Sequence, residues 1–111
     1  MRLQDHTIAV LRGHGIQKVT KAFTYTVELV DIYLLRSQDL LMSQMFLEVA
    51  QRHSIRKTSL IRTLELFAQR IGRTDPEWYR SAFPHGFDAL VYVETIAQEA
   101  LASYRAFFQG M

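Results

Sequence analysis

Apolar residues in this chain recur on steps of three and four across most of its length. They fall at Val19, Phe23, Val27, Val30 and Leu34 within residues 18–36, and at Leu60, Leu64, Phe67 and Ile71 within residues 57–71. A third set, Leu90, Val93, Ile96, Ala97, Ala100, Leu101, Tyr104 and Phe108, runs to the C-terminus. That spacing lines up side chains on one side of a helix, whereas a half-buried strand would alternate. The piece ALVYV within the last set is β-prone by itself. A winged hairpin pairing DALVYV with SYRAFF is the competing reading of residues 88–109. The intervening ETIAQEALA is rich in helix formers and contains no Gly, Asn or Pro to make the turn. A single helix over 88–109, opened by Asp88 as a cap, is therefore predicted.

Punctuation divides the rest. Both prolines, Pro76 and Pro84, lie in GRTDPEWYRSAFPHG, and four of the five glycines are Gly13, Gly15, Gly72 and Gly86. Residues 4–12 form a short helical head that GHG ends. Ser37, Asp39 and Ser43 are candidate caps after residue 36. Leu41 and Met45 continue the preceding stripe, so one long helix reaching His53 and two separate helices both fit. Gly72 is placed to end the stretch over 57–71 in a left-handed conformation. Asp75 and Pro76 suit the start of a short helix, with Trp78 covering the edge of the core. The expectation is an all-α fold: one domain over 1–111, a compact bundle of four to five helices with a long C-terminal amphipathic helix.

With 111 residues, 49% of them hydrophobic, the chain is long enough to bury a core without staples. It has no cysteine, which removes disulfides, thiolate nucleophiles and thiolate metal sites. No apolar run is long enough for a membrane span or a secretory signal, and a cytoplasmic protein is expected. The net charge of +2 is unevenly spread. Residues 52–80 hold seven basic and three acidic side chains, and the remainder holds six basic and eight acidic. A local basic excess of this kind points toward a polyanionic partner.

The basic excess overlaps FLEVAQRHSIRKTSLIRTLEL, residues 46–66. Val49 and the small Ala50 would face inward from a first helix. Ile55 would be the inward residue of a turn, and Leu60 that of a second helix. This stretch resembles the helix-turn-helix of bacterial and phage repressors, whose second helix lies in the DNA major groove. It departs from that pattern at Ser54, where glycine is usual, at His53, usually small and apolar, and at Thr63, usually aliphatic. With a winged hairpin over 88–109 the whole would be similar to a MarR-type regulator.

The resemblance implies duplex DNA as partner. Thr58, Ser59 and Arg62 would read bases, and Arg52, Arg56, Lys57, Arg70 and Arg73 would join the interface, with Arg70, Arg73 and Arg80 on phosphates. Leu101, Tyr104, Phe107 and Phe108 would pair two protomers into a homodimer. The alternative is a helical interaction module (an adaptor, inhibitor or assembly subunit) without a nucleic-acid role. It would present Met42, Met45, Trp78, Phe107 and Phe108 to a protein partner.

No cofactor, metal or catalytic role is expected. His6, His14 and His53 have no second His or acid at the spacing of a helical metal site, and His85, three residues before Asp88, lies in the proline- and glycine-containing loop rather than on a helix pattern. Glu28 and Asp31 share a helix side and are expected to meet Arg36 or Lys21. There is no glycine-rich phosphate loop and no nucleophile–base signature.

Overall fold

The computed structural model describes residues 2–36 and 42–109, and over them α-helices joined by short turns and loops are the only regular secondary structure. Six helices follow in order: α1 (Leu3–Gly13), α2 (Lys21–Arg36), α3 (Met42–Arg52), α4 (Lys57–Thr74), α5 (Pro76–Ala82) and α6 (Ala89–Gln109). The number exceeds the expected four to five because the short helix opened by Asp75 and Pro76 is present as α5. Asp75 caps it, its Oδ1 accepting from the Trp78 backbone N–H at 3.2 Å.

The winged hairpin is overturned: residues 89–109 are the continuous helix α6. Asp88 opens it as expected, with Oδ1 accepting from the N–H groups of Leu90 and Val91. Gly72 does not end α4, which runs on to Thr74. Its role is one of packing: a Cβ there would stand 2.9 Å from Tyr79 Cδ2, so a side chain at 72 would push α5 away from α4. The expected caps Ser37 and Asp39, and Leu41 of the stripe, lie outside the described residues. Ser43 lies within α3, whose first residue is Met42.

The segment around residues 18–53 forms two helices. Glu28 and His53 meet at 2.6 Å, whereas a continuous helix would hold residues 25 apart roughly 37 Å from each other. α3 therefore folds back along α2.

α2 is the centre of the molecule, packed by α1, α3, α4 and α6. This explains why its apolar pattern is broader than one stripe. Phe23, Val27 and Val30 are buried, but so are Tyr25, Thr26, Leu29 and Ile32; a helix buried on most sides is apolar on most sides. Val19, counted in the stripe, precedes the helix and is 59% exposed.

One buried polar pair joins α2 to α6. The Thr26 hydroxyl donates its single proton to the Ala22 carbonyl at 2.8 Å. The 2.8 Å contact between Thr26 Oγ1 and Tyr92 Oη must then have tyrosine as donor. Burial raises the Tyr92 phenol well above its ordinary pKa and keeps that proton in place. Tyr92→Phe is expected to destabilise the fold by about 1–1.5 kcal/mol, read from denaturant unfolding; an unchanged midpoint would remove the bond from the account.

A second cluster fastens three segments near the end of α1. His14 Nε2 lies 2.9 Å from Glu99 Oε1 on α6, and its Nδ1 lies 3.7 Å from Asp75 Oδ2 at the α4–α5 junction. Trp78 Nε1 donates to the same Glu99 oxygen at 3.1 Å, and its ring lies against the imidazole. The Thr74 hydroxyl is 3.3 Å from the His14 carbonyl oxygen. The hydrogen bond to Glu99 raises the His14 pKa above 6.5, against the opposing effect of burial, and the charges of Glu99 and Asp75 add to the rise. Trp78 thus covers the core edge, as expected, with its polar edge committed to α6.

Candidate nucleic-acid interface

Helix α3 ends because its backbone bonds change partner. Ser54 N–H donates to the Gln51 carbonyl at 3.2 Å and Ile55 N–H to the Ala50 carbonyl at 3.0 Å. These are the two bonds of a Schellman end, with Ser54 at the left-handed position and Ile55 following it. Ser54 has φ +55°, the only non-glycine residue with positive φ among the described residues. α1 ends in the same way, through Gly15 N–H to Arg12 and Ile16 N–H to Leu11, and there the left-handed residue is glycine at φ +90°. Ser54 thus takes the conformation for which glycine is usual. Ser54→Gly is expected to raise stability by about 0.5–1 kcal/mol; an unchanged or lower melting temperature would contradict the strain at this position.

The turn 53–56 delivers α4 against α3. Val49, Ala50 and Leu60 are buried, Ala50 to 1% exposure, and Ile55 packs partly buried against the core. All four residues expected to point inward do so. A side chain larger than alanine at 50 would occupy space that the packed core does not leave. Of the three departures, Ser54 adopts the required backbone. His53 is half-buried, bonded to Glu28 and edge-on to Tyr25. Thr63 is half-buried, and its hydroxyl donates back to the Ser59 carbonyl at 2.9 Å.

α4 buries Leu60, Leu64, Phe67, Ala68 and Ile71. At about 100° per residue, Thr58, Arg62 and Arg73 fall opposite that side, with Ser59, Leu66 and Arg70 on one flank. Arg52, Arg56, Thr58, Ser59, Arg62, Arg70 and Arg73 are exposed and Lys57 is half-buried. The candidates form two groups. Arg52, Arg56, Lys57, Thr58, Ser59 and Arg62 surround the turn and the first turns of α4. Arg70 and Arg73 lie near its other end, Arg73 about 16 Å beyond Arg62 along the axis. A major groove about 12 Å wide does not hold both groups.

Two of the cations are already paired. Arg52 shares Glu48 with Arg36, at 3.1 and 3.0 Å, and Arg62 pairs with Glu65 three residues on. Arg56, Lys57, Arg70 and Arg73 form no ion pair among the described residues. The expected partners of Glu28 and Asp31 are corrected here: Arg36 turns to Glu48, and Glu28 meets His53. Burial raises the Asp31 pKa, with Arg2 opposing the rise.

Two further residues border the candidate surface. Lys21 at the start of α2 lines a cavity of about 380 Å³ together with Tyr25, His53 and Ile55, so the tertiary fold places it beside the turn. Leu66, one turn past Arg62, stands 49% exposed on the flank of the same helix; its spacing from Arg62 is the one signal that marks it.

The C-terminal candidates divide. Leu101 and Tyr104 are half-buried, Tyr104 against His6 of α1. Phe107 and Phe108 are 40% and 50% exposed and lie edge to face. Met45, expected as part of an exposed contact surface, is buried in the core; the side chain of Met42 lies outside the described residues. No group of three His, Asp or Glu residues suited to a metal ion occurs among the described residues, and no helix of these residues is long and apolar enough to cross a membrane. Compared with protein-family models, curated proteins and solved structures, the chain matches none.

Proposed function

We propose that the chain is a small DNA-binding regulator that docks on duplex DNA through α3, the turn 53–56 and α4. The observation that carries this reading is the turn itself. A left-handed Ser54 between two packed helices leaves Thr58, Ser59 and Arg62 uncovered at the start of α4, while the inward positions are filled. In this reading Thr58, Ser59 and Arg62 face base edges. Arg52, Arg56, Lys57 and Lys21 meet phosphates around the turn, and Arg70 and Arg73 meet the backbone beyond the groove. Phe107 and Phe108 pair two protomers, so that two copies of α4 reach successive grooves.

The test is fluorescence anisotropy of a labelled random-sequence duplex at about 50 and 200 mM salt. Micromolar affinity at the lower salt, falling at least about tenfold at the higher, is expected, because each neutralised phosphate releases counterions. No binding at the lower salt would overturn the reading. The exposed Phe107 and Phe108 would then favour the second one, a helical protein-interaction module in which α3 and α4 are bundle.

A further inference from the structure

The corner between α4 and α5 holds a cleft of about 390 Å³ lined by Gln69, Gly72, Arg73, Pro76, Tyr79 and Arg80. We propose that this cleft is a phosphoryl-binding site, with Arg73 and Arg80 as its two anion-binding groups. Its volume lies in the range of small-ligand sites, about 300–1,000 Å³. The two arginines come from different helices and border one space, and no carboxylate is among the lining residues.

Neither arginine has an ion-pair partner among the described residues, and the fold shows why. Asp75, between them in sequence, has one oxygen on the Trp78 N–H and the other toward His14. Glu99 is held by His14 and Trp78. Glu77 is exposed and outside the lining. Two arginine side chains without an ion-pair partner among the described residues, bordering one cleft, suit a phosphoryl group, which accepts paired N–H donors from arginine. Pro76 and Tyr79 add an apolar wall for whatever carries the phosphate.

The cleft is built rather than incidental. Tyr79 rests on the bare backbone of Gly72, where a Cβ would approach its ring to 2.9 Å. That contact sets how closely α5, and Arg80 with it, lies to Arg73. The phosphoryl group has two possible sources: a free nucleotide-sized ligand, or the backbone of DNA docked on α4. Only the second rests on the DNA-binding reading.

The experiment is a ¹H–¹⁵N NMR titration at low ionic strength, run once with adenosine monophosphate and once with a short duplex. Saturable shifts of Gly72, Arg73 and Arg80 are expected, weakened about tenfold in the double variant Arg73→Gln, Arg80→Gln. Gly72→Ala is expected to weaken them too, with the remaining spectrum marking an intact fold. A response to the nucleotide identifies a free ligand, and it survives Arg62→Glu whether or not the duplex binds. A response to the duplex alone identifies the backbone. No response at the corner to either probe, or shifts unchanged in the double variant, would overturn the site.

Discussion

Replacing Arg62 by glutamate is expected to weaken duplex binding by about a hundredfold while leaving the fold in place. Arg62 stands on the side of α4 opposite Leu60, Leu64 and Ile71, and its side chain is 63% exposed. Losing one arginine contact to a base or phosphate costs about 1–3 kcal/mol. In the proposed docking the new carboxylate would also face the phosphates, so a total near 2.7 kcal/mol, two decades of affinity, is the expected size. Within the protein the change is small. It removes an exposed pair with Glu65 and sets two acids three residues apart, a matter of about 0.2–0.5 kcal/mol. Glu65→Gln is the opposing control: it releases Arg62 and removes an anion, and affinity should rise. Anisotropy measures both, and circular dichroism confirms the fold. Equal affinity in Arg62→Glu and the parent would take α4 out of the interface.

The parts of the candidate interface legible in the sequence are those set by local spacing. Val49, Ala50 and Leu60 are buried because helical steps of three and four place them inward whatever else the chain does. Ser54 was less legible. Its left-handed backbone follows from the bonds of Ile55 to Ala50 and Ser54 to Gln51, and serine announces no such conformation as glycine does. Gly72 misled for the converse reason: glycine marks either a helix end or a close approach, and only the position of Tyr79 distinguishes them. Residues brought in by the tertiary fold left no trace in the spacing. Lys21 reaches the turn because α3 folds back on α2. Arg80 borders Arg73 because α5 doubles back on Gly72. The histidines show the same limit, since their acidic partners are far away in sequence, 25 residues for His53 and 85 for His14. A search for pairs at helical spacing cannot find them.

The His14 pairing makes the strongest statement about pH. In the folded protein its pKa is raised above 6.5, first by the hydrogen bond to Glu99 and further by the charges of Glu99 and Asp75. A raised folded pKa means that the native state holds the proton more tightly than the unfolded chain. The resulting stabilisation is fully present below pH 6.5 and is lost as pH rises through the folded pKa. Glu99→Gln should therefore cost about 2 kcal/mol near pH 6, as expected for a charge-assisted hydrogen bond, and clearly less once the pH has risen above the folded pKa, where His14 is neutral in both proteins. Glutamine can still accept from Trp78 Nε1, which isolates the histidine contribution from the indole's. The groups facing the imidazole are Glu99 from α6, Asp75 from the α4–α5 junction and the ring of Trp78 from α5. Asp75→Asn should accordingly lower the His14 pKa by less than Glu99→Gln does, because its oxygen stands farther off. Denaturant unfolding across pH gives the stability curve, and NMR of the imidazole protons gives the His14 midpoint directly. A midpoint at or below 6.5 in the parent, or a pH-independent cost of Glu99→Gln, would mean that the cluster holds these helices together by shape alone.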